Sequence, residues 1–273
     1  MATPIGNLAD ISLRALHVLN MVDSVACEDT RHTQSLLRVY GIDKPSSGWL
    51  ALHQHNEMAA TQTVLARLAA GERVAYASDA GTPAISDPGA RLVWQVRAAG
   101  WRVLPVPGAS SVTAALSVAG AAEGEHGEFV FIGFLPAKTT ERNAAVQALA
   151  DERRAVVLLE APHRIEPLAQ ALGALGARAM TVARELTKQY EQVASMPCNT
   201  FASWLSSDPQ RHKGEFVVLL HACATAQPSD EGARVLALLL QELPLKTAVR
   251  LSAEITGSPR NTLYEQALRL KAG

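Results

Sequence analysis

The sequence predicts an α/β protein: two αβα domains with mainly parallel or mixed sheets, followed by a helical, helix-turn-helix-like tail. Three observations predict it. Short apolar runs alternate with longer amphipathic stretches, the pattern of βαβ units and largely parallel sheets. Loops rich in Gly, Pro, Ser or Thr follow the apolar runs, as in Ser78-Asp79-Ala80-Gly81-Thr82-Pro83. Beyond residue 232 no strand pattern remains, and the periodicity is helical.

Strand runs fall at 24–27, 73–78, 102–106, 129–134, 155–160, 178–183 and 216–221. Amphipathic helices are expected at 11–20, 57–70, 91–99, 111–119, 139–150 and 165–175. The glycine- and glutamate-rich stretch 120–128 reads as a linker. It separates an N-terminal α/β domain, 1–119, from a second one, 129–223. The tail, 224–273, holds helices at 233–242, 245–255 and 259–270. Gly257 ends one of these helices, and Ser258 and Pro259 begin the next. Only Met1 and Ala2 precede the loop 3–7, fewer than the five or so residues of a strand. The first strand is therefore either cut short or begins upstream.

The chain has 273 residues, 48% hydrophobic and 19% charged, as expected of a soluble globular enzyme. No apolar run approaches the roughly 18 to 20 residues of a membrane span, and no leader pattern opens the chain, so the cytoplasm is expected. Three scattered cysteines, Cys27, Cys198 and Cys223, argue against a disulfide framework or a zinc site. A net charge of −1 gives no global field for nucleic acid, so any RNA contact must come from local patches.

The segment 78–83 is the best handle on chemistry. Gly81 lets a ligand approach the main chain, Pro83 fixes φ, and Asp87 with Pro88 is expected to cap the next helix. In open α/β sheets, ligands sit beyond the carboxyl ends of strands. Neither a dinucleotide nor a phosphate-loop fingerprint is present, and Ser110-Ser111 lacks the nucleophile elbow. These serines are expected to cap a helix and line a pocket. Charged clusters follow other strands: Glu28-Asp29-Thr30-Arg31-His32, Glu160-Ala161-Pro162-His163-Arg164 and Arg184-Glu185-Leu186-Thr187-Lys188. Each alone could be a solvated loop; together at one end of two sheets they favour a cleft between domains. His53-Gln54-His55 lacks the further ligands a metal needs, Asn56 suits a helix N-cap, and the histidines are better placed for RNA. In the tail, Lys246, Arg250, Arg260, Arg269 and Lys271 outnumber Glu254 and Glu265, which suits either RNA contact or a packing module.

Taken in order, Thr3-Pro4-Ile5-Gly6-Asn7-Leu8, Glu28-Asp29-Thr30-Arg31, His55-Asn56-Glu57, Ser78 to Pro83, Pro107-Gly108, Gly133-Phe134-Leu135-Pro136-Ala137-Lys138, Glu160 with His163-Arg164, Arg184 to Lys188 and Lys213-Gly214-Glu215 resemble a known signature. It is that of the ribosomal RNA small subunit methyltransferase I family, a branch of the tetrapyrrole-methylase-like class III methyltransferases. The resemblance runs through almost the whole chain. The chain departs from it in the missing first strand and in Ala161, where Glu-Ser is usual.

The resemblance implies S-adenosylmethionine held between the two domains. It implies methylation of a cytidine ribose 2′-hydroxyl at the decoding centre of 16S rRNA, on the assembled small subunit, by a homodimer. It points to Pro4, Gly6, Asp79, Ala80, Gly81, Thr82, Gly108, Ser111, Phe134, Leu135 and Glu160 for the cofactor. Glu28, Asp29, Arg31, Glu185 and Lys188 are the candidates on the substrate side, and His53, His55, Lys138, Arg164, Lys246, Arg250 and Arg260 those for RNA. No metal is expected. Lys188 acts as a base if burial or a cationic neighbour such as Arg184 lowers its pKa; otherwise it holds phosphate or a developing alkoxide. Two other readings stay open: the same fold acting on a small molecule such as a tetrapyrrole, and a non-catalytic RNA-binding or assembly factor.

Overall fold

The computed structural model describes residues 1–53, 56–85, 89–120, 127–223 and 229–272. The first sheet has β1 (Ser24–Cys27) at its centre, with β2 (Trp49–Ala51) and β3 (Val74–Ala77) parallel on either side. All of β1 is buried, because helices cover both faces, as parallel sheets require. α1 (Leu13–Met21) and α2 (Thr30–Val39) bring Leu19 and Leu37 against Val25, Ala75 and Ala77. α3 (Glu57–Ala69) and α4 (Gly89–Ala98) bring Val64, Leu92 and Val96 against Ala26, which points the other way. α1 starts where Ser12 Oγ accepts the Ala15 N–H at 3.1 Å, a cap that stabilises by about 1 kcal/mol.

The second sheet contains β4 (Phe129–Gly133), β5 (Ala155–Glu160), β6 (Ala179–Arg184), β7 (Gln192–Pro197) and β8 (Phe216–Leu220), in the order β4-β5-β8-β6-β7. One face packs Val156, Leu158, Val182 and Leu220 under α6 (Thr139–Ala148), α7 (Ile165–Leu172) and α8 (Phe201–Ser206). The other face, with Val157, Ala183, Val217 and Leu219, receives Val112 and Ala115 of α5 (Ser111–Ala119). In the tail, α9 (Ser229–Glu242), α10 (Leu245–Thr256) and α11 (Arg260–Ala272) close over Leu236, Ala248, Val249, Leu263 and Ala267. Gly257 turns the chain between α10 and α11 at φ +70°, its N–H bonded to Ala253 O at 2.9 Å.

Several expectations need correction. The second sheet is not largely parallel: only β4 and β5 run parallel, and the other three pairings are antiparallel. Residues 185–191 are too few for the crossover of a dozen or more that a parallel β6–β7 pair would need. The apolar run 102–106 forms no strand among the described residues. It is an exposed segment whose Val106 O accepts the Ala2 N–H at 3.1 Å. α2, β2, β7 and α8 were not expected. Asn56 precedes α3 but caps no N–H there; its Oδ1 accepts from His53 N at 2.8 Å and its Nδ2 donates to Ala51 O at 2.9 Å. The expected cap at Asp87-Pro88, His55 and most of the linker lie outside the described residues.

Burial pushes the Cys27 and Cys198 thiols up to about 11 each, whereas Cys223 is half-exposed. In the folded protein at neutral pH, an alkylating reagent is therefore expected to label Cys223 first. Peptide mass mapping checks this; equal labelling of all three before unfolding would contradict the burial.

Candidate active site

Strand register gathers the charged loops. β1 and β3 are parallel with Cys27 opposite Ala77, so Glu28-Asp29 and Ser78-Asp79 leave the sheet side by side. In the second sheet, antiparallel pairing sets Arg184 and Glu160 each opposite Phe216. The loop after β6, the loop before β8 and the end of β5 therefore meet. Between these two sets lies a cavity of about 320 Å³, at the lower end of the range of about 300–1,000 Å³ usual for small-molecule sites.

The first wall is pinned by its backbone. Thr3 and Gly81 exchange two hydrogen bonds at 3.1 Å as an antiparallel bridge. Thr3 Oγ1 donates to Ser78 O at 2.9 Å, Ser78 Oγ donates to Gly81 O, and Thr82 Oγ1 donates to Ala109 O at 3.0 Å. Gly81 has φ +76°, and a Cβ there would stand 3.2 Å from Ile5 Cγ2. Asp79 does two things: it lines the cavity, and its Oδ1 accepts the Asp29 N–H at 3.2 Å, tying the ends of β3 and β1 together.

The opposite wall carries a buttressed cation. Lys188 Nζ lies 2.8 Å from Glu185 Oε1 and 3.0 Å from Glu215 Oε2. Glu185 Oε1 also accepts the Glu215 N–H at 2.9 Å. Burial pulls the Lys188 pKa down, but its bonds and charge attraction to the two carboxylates outweigh that and raise it. Burial likewise works to raise the Glu185 pKa, and the bond to Lys188 leads the effects that take it below its usual value. Lys188 thus faces the cavity as a cation paired with two carboxylates. Glu185 and Thr187 both sit in the left-handed region, at φ +52° and +65°, a conformation that costs about 1 kcal/mol or more at non-glycine residues. Gly214, at φ +91°, makes room for Glu185: a Cβ there would lie 2.3 Å from Glu185 Cγ.

Glu160 is almost fully buried at the cavity edge. Its Oε1 accepts from Ala161 N at 3.0 Å and pairs with Arg164 Nε at 3.1 Å. Its Oε2 is buried without a hydrogen-bond partner among the described residues. A buried acceptor without a donor is costly, so this oxygen suits a ligand donor in the cavity.

Of the sequence-predicted cofactor residues, Asp79, Ala80, Thr82, Ser111, Phe134 and Glu160 line the cavity. The others stand behind it. Pro4 is buried next to Ile5, which does line it. Gly81 holds the bridge to Thr3. Gly6 abuts the second wall, where a Cβ would lie 2.3 Å from Lys188 Cγ, and Gly108 abuts Ala2. Leu135 belongs to the core, with its carbonyl bonded to Arg164.

On the substrate side, Glu28 and Lys188 line the cavity, and Glu185 holds Lys188 from outside it. Asp29 and Arg31 do not line it. Asp29 caps α2 by accepting the Arg31 N–H at 2.9 Å, and the Arg31 side chain is 90% exposed. Among the RNA candidates, Arg164 points inward to Glu160 and Leu135 O, His53 is half-buried, and Lys138 is exposed and paired with Glu141. Arg250 and Arg260 share Glu254 at 3.2 and 3.3 Å, and Lys246 is exposed. Ser78 and Glu215 were not among the candidates; the Lys213-Gly214-Glu215 run before the last strand was the available signal for Glu215.

The family match assigns this fold to the methyltransferases of the tetrapyrrole-methylase class. The family model described as Tetrapyrrole (Corrin/Porphyrin) Methylases matches residues 2–202, and that of the RsmI C-terminal HTH domain matches residues 226–271. A relative from Pseudomonas aeruginosa, named Ribosomal RNA small subunit methyltransferase I, is 47% identical over 98% of this chain and 95% of its own. One of the same name from Escherichia coli O157:H7 is 45% identical over 97% of this chain and 92% of its own. The chain belongs to the ribosomal RNA small subunit methyltransferase I family. Distant solved structures share the fold. A cobalt precorrin-4 methyltransferase aligns with a TM-score of 0.59 at 16% identity, over 80% of this chain and 92% of its own. A uroporphyrin-III C-methyltransferase from Thermus thermophilus, solved with S-adenosyl homocysteine, aligns with a TM-score of 0.51 at 17% identity, over 79% of this chain and 93% of its own.

Proposed function

We propose that the chain methylates the 2′-hydroxyl of a cytidine ribose at the decoding centre of 16S rRNA, in the assembled small subunit. The methyl donor is S-adenosylmethionine. The observation that carries this reading is the cavity itself: a pinned backbone wall faces a lysine held cationic by two carboxylates, with the orphaned Glu160 Oε2 at its edge.

When bound, S-adenosylmethionine supplies an electrophilic methyl group on a sulfonium, which ends as a neutral thioether. The Ser78–Thr82 backbone, Ser111 and Glu160 would hold it. Lys188 stabilises the ribose oxygen as that oxygen loses its proton. Glu28, on the opposite wall, is the group assigned to take the proton. A second copy of the chain is expected to cover the outward apolar side chains of the edge strand β4, Phe129, Phe131 and Ile132. No helix among the described residues is long and apolar enough to cross a membrane, and the site of action proposed is the cytoplasm.

The test is transfer of label from S-adenosylmethionine to small subunits lacking the modification. Label in a corrin or porphyrin precursor and none in subunits would sink the RNA assignment. Asp79→Ala is expected to weaken cofactor affinity more than tenfold, about 1.4 kcal/mol, by titration calorimetry. Asp79→Asn keeps the oxygen that accepts the Asp29 N–H and should lose less. Unchanged affinity in Asp79→Ala would refute its role.

A further inference from the structure

A second cavity, of about 250 Å³, lies between α6 and α7. Arg142 lines it and is 6% exposed. No carboxylate lies within ion-pair distance of Arg142 among the described residues; Glu141, its neighbour, pairs with Lys138 instead. Of its five N–H donors, Nη1 gives one bond to Ala137 O at 2.9 Å and Nη2 one to Thr139 Oγ1 at 3.4 Å. Its Nε is buried without a hydrogen-bond partner among the described residues. A guanidinium is always charged, and burying a charge without a counter-ion is costly.

Two further features point the same way. The N-terminus of α6 opens on this cavity at Thr139, and no side chain caps it, so its first N–H groups and the helix dipole favour an anion. The exposed amides of Asn143, Gln147 and Gln170 stand around Arg142 and can donate to oxygen. No acidic residue lines the cavity among the described residues.

We infer that the α6–α7 cleft binds a phosphate group, with Arg142 as counter-ion and the amides as donors. The group comes either from the RNA backbone, as an anchor remote from methyl transfer, or from a free phosphate ester. Only the first source rests on the proposed rRNA substrate.

The test uses the full chain and two variants. Gln170→Glu places a negative charge on the cleft wall with the fold spared; Arg142→Gln removes the counter-ion. Inorganic phosphate, against chloride at matched ionic strength, is expected to raise the Tm of the parent chain and not that of Gln170→Glu. If the source is RNA, Gln170→Glu also weakens binding to small subunits tenfold or more. If it is a free ester, subunit binding stays unchanged while the phosphate effect persists in the parent alone. Equal phosphate response in parent and variants, or none in any of them, overturns the site. S-adenosylmethionine affinity is expected to be the same in Gln170→Glu, which separates failure of this cleft from failure of the proposed reaction.

Discussion

Lys188→Met is expected to lower methyl transfer to small subunits at least a hundredfold, while S-adenosylmethionine affinity changes much less. Lys188 is the cation of the second wall, fixed at 2.8 and 3.0 Å from Glu185 and Glu215. Removing one preorganised group that stabilises developing negative charge typically costs 10²–10³ in rate, about 2.7–4 kcal/mol. The raised pKa adds a check on pH. A lysine with its folded pKa raised stabilises the fold at low and neutral pH, and that contribution is lost only as pH rises through the folded value. Glu185, with its pKa lowered, contributes above its usual pKa and loses that contribution as pH falls through the folded value. The pair therefore stays charged across the neutral range. The pH–rate profile of the parent chain should show no deprotonation of a lysine between pH 6 and 9, taken as the range around neutrality. A rate that rises through that range and loses its rise in Lys188→Met would restore the lysine as a base.

Gly214→Ala carries the second large effect, through a residue that does not line the cavity. Its φ of +91° is strained for any side chain, and a Cβ would lie 2.3 Å from Glu185 Cγ and 2.5 Å from its Cδ. Either the 213–215 loop shifts or Glu185 leaves Lys188. The backbone penalty alone is about 1–2 kcal/mol, which corresponds to a Tm loss of roughly 2–8 °C. Transfer is expected to fall about tenfold or more, with kcat affected more than the cofactor affinity. Retention of both Tm and kcat would show that the close approach of Glu185 to Gly214 is dispensable.

The first wall was largely legible in the sequence. An apolar run ending in Ser78-Asp79-Ala80-Gly81 announces a strand and a tight loop locally, and β3 ends where that pattern ends. The Lys188 cluster was only half legible. Glu185 and Lys188 stood out as charges after a strand, but Glu215 joins them only because β6 and β8 are antiparallel neighbours with Arg184 opposite Phe216. No local pattern encodes that pairing across the intervening β7. Asn7, whose N–H bonds to Thr187 Oγ1 at 3.0 Å, likewise joins residues 180 positions apart. The charge-dense run 28–32 hid a helix: Asp29 reads as a cleft carboxylate, but it caps α2, whose inward face is Thr33 and Leu37. β7 gives only a weak strand signal because its run mixes polar with small apolar residues and ends in proline, as suits an edge strand.

The cavity between the two sheets is proposed to direct a methyl group to a ribose oxygen of 16S rRNA. The most direct measurement is nucleoside mass spectrometry of 16S rRNA after small subunits lacking the modification are incubated with the chain and labelled S-adenosylmethionine. Label is expected in 2′-O-methylcytidine, approaching one per subunit, and is expected to be lost with Lys188→Met. Label on a base, or none in the RNA while the cofactor binds normally, would contradict it.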